Sequence, residues 1–330
     1  MEKRIRLGII ETAFTETFGI KYPIVLAPMF LVNTEALVIA AAKAGIMGTF
    51  PAMNFRPMSR YREAIKKIKE ETDAPFGINI IVQSSNKLQQ EQLDIALEEG
   101  VQFIISSLGS PRNLLQLAHQ TNTKVYCDVI GLEMAKKVAD LGADGLVAVG
   151  AGAGGHAGNI SPFALVPILA QKTNLPVLAA GSIVDGRGLA AALSLGASGA
   201  YMGTRFIASA EAEVSEEYKS AIINAASEQI VSTHKVDGFP GNFILTPQLK
   251  KLGVEAGFWE LLVSTYPKFK RLIALSRAAK SLMSKQGPKA NYKTHFSAGH
   301  GVGLIHSIES VQTIVEAVIA EYQDIKSKLP

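Results

Sequence analysis

The sequence is poor in the residues that build disulfides, metal centres and membrane spans. A single cysteine, Cys127, excludes an internal disulfide and any cysteine-rich metal site, and it fits a reducing, cytoplasmic compartment. It lies inside an apolar run and reads as a core thiol, not a nucleophile. His119, His234 and His295 have no partner at metal-ligand spacing, so no metal site is expected. No uncharged apolar stretch approaches the ~18 residues that cross a bilayer. The opening Met1-Glu2-Lys3-Arg4 carries no apolar segment of a secretion signal. Neither charge dominates: 33 Lys and Arg against 29 Asp and Glu leave a net charge of +4. Lys280, Lys285, Lys289 and Lys293 are spaced out without interleaved aromatics, a solvated face and not a nucleic-acid footprint. The first apolar strand ends Ala27-Pro28-Met29, without the glycines of a dinucleotide-binding turn, which argues against a doubly wound sheet.

What is present is apolar and repetitive. With 330 residues, 48% hydrophobic and 19% charged, the chain can bury a large core, as one large α/β domain or two ordinary ones. Short apolar runs recur about every 20 to 30 residues: Ile24–Ala27, Ile46–Phe50, Phe76–Ile80, Val101–Ser106, Lys124–Asp128, Leu146–Val149, Pro176–Ala180 and Ala200–Met202. They are apolar on both faces and never alternate cleanly, as expected of parallel strands covered by helices. Helical patterns lie between them, near 34–44, 57–72, 87–99, 111–120, 132–141, 163–172 and 186–195. Eight such units predict a TIM (β/α)8 barrel over residues 1–208. Residues 14–20 read as a lead-in that closes its bottom. Residues 209–290 read as a helical lid or insertion, with helices at Glu211–Ala226 and Val254–Leu282. Residues 291–330 read as a return segment and a C-terminal helix, Ile308–Leu329, packing on the barrel.

A barrel places chemistry at the C-terminal ends of its strands. The candidates by position are Pro28 and Met29, Thr49 and Phe50, Asn79, Ser106 and Ser107, and Asp128, then the loops after the last three strands. The sixth run empties into Gly150-Ala151-Gly152-Ala153-Gly154-Gly155, and His156 follows. Small residues leave room for a flat ligand on the backbone, and His156 is the loop's one side chain able to move a proton. Gly181-Ser182 and Gly203-Thr204 follow the seventh and eighth strands, where a phosphate site commonly forms from backbone N–H groups and a helix N-terminus. Glycine turns needed only for packing are the competing explanation. A phosphate there and a bare platform at the sixth loop suit FMN better than a sugar phosphate. Asn79 would offer an amide, donor and acceptor, to the ring's polar edge. His300, in the late turn Ser297-Ala298-Gly299-His300-Gly301, is either a second site residue or a surface histidine.

These motifs, Ala153-Gly154-Gly155-His156, Ala180-Gly181-Ser182-Ile183-x-Asp185-Gly186-Arg187-Gly188 and Met202-Gly203-Thr204-Arg205-Phe206, resemble the nitronate monooxygenase (2-nitropropane dioxygenase-like) flavoproteins. That superfamily also holds FMN-dependent enoyl-acyl-carrier-protein reductases and NADH:quinone reductases. Pro23-Ile24, Ala27-Pro28-Met29, Pro75-Phe76-Gly77-x-Asn79 and Ser297-Ala298-Gly299 extend the match. The resemblance implies FMN, a barrel with a helical lid, and His156 as catalytic acid/base. Together with position, it makes Ala27, Pro28, Met29, Asn79, Asp128, Gly154, Gly155, Gly181, Ser182, Gly203 and Thr204 the expected cofactor contacts. The expected partners are a small-molecule substrate, either a nitronate oxidised with dioxygen, or NAD(P)H with an enoyl thioester or quinone; a homodimer is left open. Two departures stand out: Gly152 sits where the family often has a glutamate, and Asp128 where some relatives place a lysine near the flavin pyrimidine.

Overall fold

The computed structural model describes residues 8–236, 239–254 and 294–328. The helix expected over Val254–Leu282, with Trp259 and Phe269, and the lysines at 280–293 lie outside the described residues, apart from Val254. Eight parallel strands form one sheet: β1 (Ile24–Leu26), β2 (Gly48–Pro51), β3 (Phe76–Ile81), β4 (Phe103–Ser107), β5 (Lys124–Val129), β6 (Gly145–Val149), β8 (Val177–Ala180) and β9 (Gly199–Met202). The order is β1-β9-β8-β6-β5-β4-β3-β2, and a parallel bridge between Val25 and Met47 brings the two ends together. Leu26 N donates to Met47 O at 2.9 Å and Met47 N to Ile24 O at 3.0 Å. The hydroxyl of Thr49 donates to Leu26 O across the same seam. The ring is a TIM barrel, as the strand count requires.

Helices α2 (Glu35–Lys43), α3 (Met58–Glu71), α4 (Gln89–Glu98), α5 (Arg112–Ala118), α6 (Leu132–Asp140), α7 (Pro162–Thr173) and α8 (Gly186–Ser194) follow successive barrel strands. Alternate strand residues divide between two cores. Ile24, Leu26, Ile78, Ile80, Ile104, Val125 and Ala200 join the layer beneath the helices. Val25, Met47, Phe103, Ile105, Tyr126, Val147 and Leu178 form a separate cluster that fills the barrel.

The bottom of that inner cluster is aromatic. Helix α1 (Ala13–Phe18) inserts Phe14 and Phe18, with ring centroids of Phe14 at 5.7 Å from both Phe103 and Tyr126. A reciprocal Thr12–Thr15 capping box starts α1, Gly19 ends it in a left-handed conformation, and Thr12 Oγ1 donates to Ser198 O at 2.7 Å. At the other end of the chain the helix Val311–Lys328 buries Ile314, Val315, Val318 and Ile319. It crosses α8 so closely that a Cβ on Gly186 would lie 2.4 Å from Tyr322 N.

After β9 come the short α9 (Thr204–Ile207) and α10 (Glu216–Asn224), and then two strands that the sequence reading did not anticipate, β10 (Ile230–Thr233) and β11 (Gly241–Ile244), before α11 (Pro247–Leu252). β11 pairs antiparallel with β10 and with β7, a two-residue strand made of Gly155 and His156.

The plug predicts a stability test. Phe14→Ala removes a fully buried ring that touches three others, and should cost about 3–5 kcal/mol in denaturant unfolding. Phe14→Leu should lose less than half as much. Equal losses would show that ring packing does not hold the barrel base.

Candidate active site

The period-two alternation decides what surfaces at the barrel mouth. Inward positions that lower down carry Phe103, Tyr126 and Val147 carry Ser107, Asp128 and Val149 one step past the core, and β3 presents Asn79. Above this floor opens a cavity of about 670 Å³, inside the range of cofactor and substrate sites. Every expected contact lines it: Ala27, Pro28, Met29, Asn79, Asp128, Gly154, Gly155, His156, Gly181, Ser182, Gly203 and Thr204. Thr49 does not; it is fully buried and spent on the barrel seam. His300 is exposed and does not line the cavity, although Gly299 and Gly301 on either side do. Its role is backbone: His300 N donates to Gly152 O at 3.2 Å, and its carbonyl accepts from Ser227 Oγ at 2.7 Å.

The glycine loop is pinned by backbone contacts that admit no side chain. A Cβ on Gly154 would lie 2.8 Å from Gly299 N, and one on Gly299 would lie 2.5 Å from Gly152 O. A Cβ on Gly152 would meet Ser182 Oγ at 2.0 Å, so the family's glutamate has no place here while Ser182 keeps this rotamer. Gly155 differs: its φ is +67° and a Cβ would meet nothing within 4 Å. Asn242 of β11, buried, donates through Nδ2 to Ala151 O at 2.9 Å and Ala153 O at 2.7 Å. The β7–β11 ladder sets Gly241 opposite His156, and the Phe239 ring meets the imidazole edge-on, centroids 5.4 Å apart. Asn242 and Phe239 were not among the expected site residues. Their only signal was the Pro/Gly/Phe composition of 239–245.

The floor is a directed hydrogen-bond chain. Asn79 Nδ2 donates to Ile105 O at 3.1 Å and to Ser107 Oγ at 2.6 Å. Both amide hydrogens are thereby spent, so Asn79 offers the cavity an acceptor, not the donor–acceptor pair expected. Ser107, having accepted, donates to Asp128 Oδ2 at 2.5 Å. The other oxygen, Oδ1, is occluded without a hydrogen-bond partner, although the residue as a whole keeps partial access to the cavity. Burial pushes the Asp128 carboxyl up to about 6, against the opposing pull of the Ser107 hydrogen bond and of His156. Burial, and then Asp128, raise the Tyr201 phenol above its ordinary value. Cys127 is pushed up to about 12 by burial first and the neighbouring carboxylates second, so it stays a thiol.

The last two turns differ from the expected anion cradle in one respect. The N-terminus of α8 is closed: Asp185 Oδ1 accepts from Gly188 N at 2.8 Å, and Glu321 Oε2 accepts from Gly186 N at 2.7 Å. What faces the cavity is Gly181-Ser182 and Gly203-Thr204. Thr204 Oγ1 accepts from Gly299 N at 2.9 Å, which leaves its own proton to donate. Among the described residues no Lys or Arg lines the cavity.

The buried carboxyl gives a pH test. A folded-state value raised above 3.8 means that Asp128's contribution to stability is fully present below the unfolded value and is lost as pH rises through about 6. Asp128→Asn should therefore gain on the wild type between pH 5 and pH 8, by on the order of 1–3 kcal/mol in urea unfolding. A difference that is flat across this range, or that shrinks, would refute the assignment.

Comparison with known proteins agrees with this architecture. The family model described as nitronate monooxygenase matches residues 11–321. A (3aS,4S,5R,7aS)-5-hydroxy-7a-methyl-1-oxo-octahydro-1H-indene-4-carboxyl-CoA dehydrogenase of Mycobacterium tuberculosis is 32% identical over 268 residues, covering 80% of this chain and 75% of that protein. A probable nitronate monooxygenase of Staphylococcus saprophyticus is 27% identical over 365 residues, covering 97% of this chain and 99% of that protein. The solved structure of FabK from Thermotoga maritima superposes with a TM-score of 0.82 at 31% identity, covering 97% of this chain and 98% of that one. The chain belongs to the nitronate monooxygenase family and is an oxidoreductase.

Proposed function

We propose that the protein is an FMN-dependent oxidoreductase that oxidises alkyl nitronates with dioxygen, with His156 as its acid/base. The observation that carries this is the placing of His156. Among the described residues it is the one imidazole lining the cavity, carried on a strand at the mouth, within electrostatic reach of the one carboxylate that lines it.

The residues present fit the cofactor. Open space above Gly155, beside a loop closed to side chains, is a cradle for a planar ring. Ala27, Pro28 and Met29 would border it, and Asn79 Oδ1 would accept from a ring N–H. Gly154 and Gly155 would leave it room along the backbone. Gly181, Ser182, Gly203 and Thr204 would hold the phosphate through neutral N–H and O–H donors. When bound, FMN supplies the two-electron chemistry and the reaction with dioxygen. His156 would take the proton from the carbon beside the nitro group, or hold the nitronate anion by its N–H. Phe239 against the imidazole limits its motion and keeps water off one side. Asp128 at the cavity floor, raised toward neutrality, would bring less negative charge to a bound cofactor than an ordinary carboxylate would.

A second reading, an NAD(P)H-dependent reductase of enoyl thioesters or quinones, draws on the coenzyme A thioester in the name of the mycobacterial relative.

Purified protein should be yellow. Mixed without oxygen, it should bleach with an alkyl nitronate and stay yellow with NADH or NADPH; the reverse pattern would establish the second reading. His156→Gln should retain FMN and lose about 10²–10⁴-fold in turnover. Full activity in that variant would remove His156 from the chemistry.

A further inference from the structure

The cavity is also lined by an apolar group of side chains after β4 and β5, here called its lobe, that the chemistry just described does not use. Strands β4 and β5 are neighbours in the barrel, and their loops lead into α5 and α6. Leu108, Pro111, Ile130, Met134 and Val138 line the cavity in this direction, and all five are apolar. Val138 is buried, whereas Leu108, Ile130 and Met134 are 38%, 45% and 43% exposed. Large apolar side chains this exposed, lining one cavity, mark a surface that something apolar covers.

The lobe is built, and it starts at the reacting end. Leu108 sits at φ 58°, a left-handed conformation unfavourable for leucine. The following glycine is locked, since a Cβ on Gly109 would lie 2.6 Å from Val82 O. Ile130 abuts the His156 loop: a Cβ on Gly158 would come within 3.0 Å of Ile130 Cβ. An apolar chain entering the lobe would therefore leave its polar head beside His156.

Resting on the reading of His156 as the acid/base, we propose that this lobe receives the apolar arm of the substrate, so that the preferred substrates carry an unbranched chain of several carbons on the reacting carbon and are not the smallest nitro compounds. Leu108, Ile130 and Met134 are then the specificity-determining residues.

The test is calorimetric binding of neutral nitroalkanes, 1-nitropropane through 1-nitrohexane, to the purified full-length protein. Burying one methylene is worth about a fourfold gain in affinity, and the wild type should show that slope along the series. Ile130→Asp and Met134→Asp, at exposed positions that do not threaten folding, should flatten it, and Met134→Leu should keep it. The readout is the slope and not the absolute affinity. A flat wild-type series, or a slope that survives both aspartate variants, overturns the proposal. Binding of neutral homologues needs neither turnover nor a nitronate, so a failure of the nitronate reading leaves a result distinct from a failure of the lobe.

Discussion

Where the loop after β6 meets the turn at Ser297–Gly299, two stretches of backbone touch with no side chain between them. That contact sets the height of the cavity wall. Gly152, Gly154 and Gly299 are each within 2.8 Å of a clash if given a Cβ, and the partners are main-chain atoms or Ser182. Main chain does not yield as a flexible side chain does, so Gly154 and Gly299 are required by contact and not by conformational freedom, while at Gly152 the obstacle is the Ser182 hydroxyl. Asn242 completes the seam by taking the carbonyls of Ala151 and Ala153, which would otherwise face a partly buried loop unpaired. His156 inherits its direction from this arrangement, because its backbone is a rung of the β7–β11 ladder. A loop made almost wholly of small residues thus holds one imidazole more firmly than its composition suggests.

Beneath that wall the barrel's alternation turns a packing rule into an electrostatic one. The inward positions carry large apolar groups as far as Ile105, Tyr126 and Val147, and then give way to Ser107 and Asp128. The direction of the hydrogen-bond chain follows from one fact: Asn79 has only donors to give to Ile105 O. Its amide is thereby oriented, Ser107 must pass its own proton to Asp128, and one carboxylate oxygen is left without a partner. Desolvation then outweighs the Ser107 hydrogen bond and the His156 attraction together, and the carboxyl moves toward neutrality. A lysine in this place would have put a full positive charge at the same depth.

The barrel was legible because parallel strands covered on both faces leave continuous apolar runs, and each of the eight expected runs overlaps an observed strand. That the expected residues would line one cavity was legible by position, since strand ends in a barrel point at one mouth. Three things were not. Strands β10 and β11 are four residues each, too short for an alternation to register. β7 hides inside a glycine loop, and its pairing with β11 spans about 85 residues, a separation that no local pattern encodes. The roles of Asn79, Thr49 and His300 depended on which hydrogen bonds were already spent, a question of three-dimensional bookkeeping that residue type leaves open. Asn79 kept its place and lost its donors; Thr49 turned to the barrel seam; His300 serves through its backbone.

Strain and stability are also kept apart along the barrel axis. Four residues other than glycine adopt positive φ among those described: Leu31, Leu108, Asn174 and Ser182. Asn174 is the left-handed C-cap of α7, an ordinary use of asparagine. The other three lie in loops after β1, β4 and β8, all at the cavity end, and Leu108 and Ser182 line the cavity itself. Each costs on the order of 1–2 kcal/mol, and the raised Asp128 carboxyl adds a further cost at the same end. At the opposite end, Phe14, Phe18, Phe103 and Tyr126 interlock ring against ring. A closed ring of strands transmits that rigidity upward, since no strand can shift without breaking its pairing on both sides. The aromatic base and the strained mouth thus lie at opposite ends of one closed ring of strands, and His156 takes its own direction from the β7–β11 ladder above it.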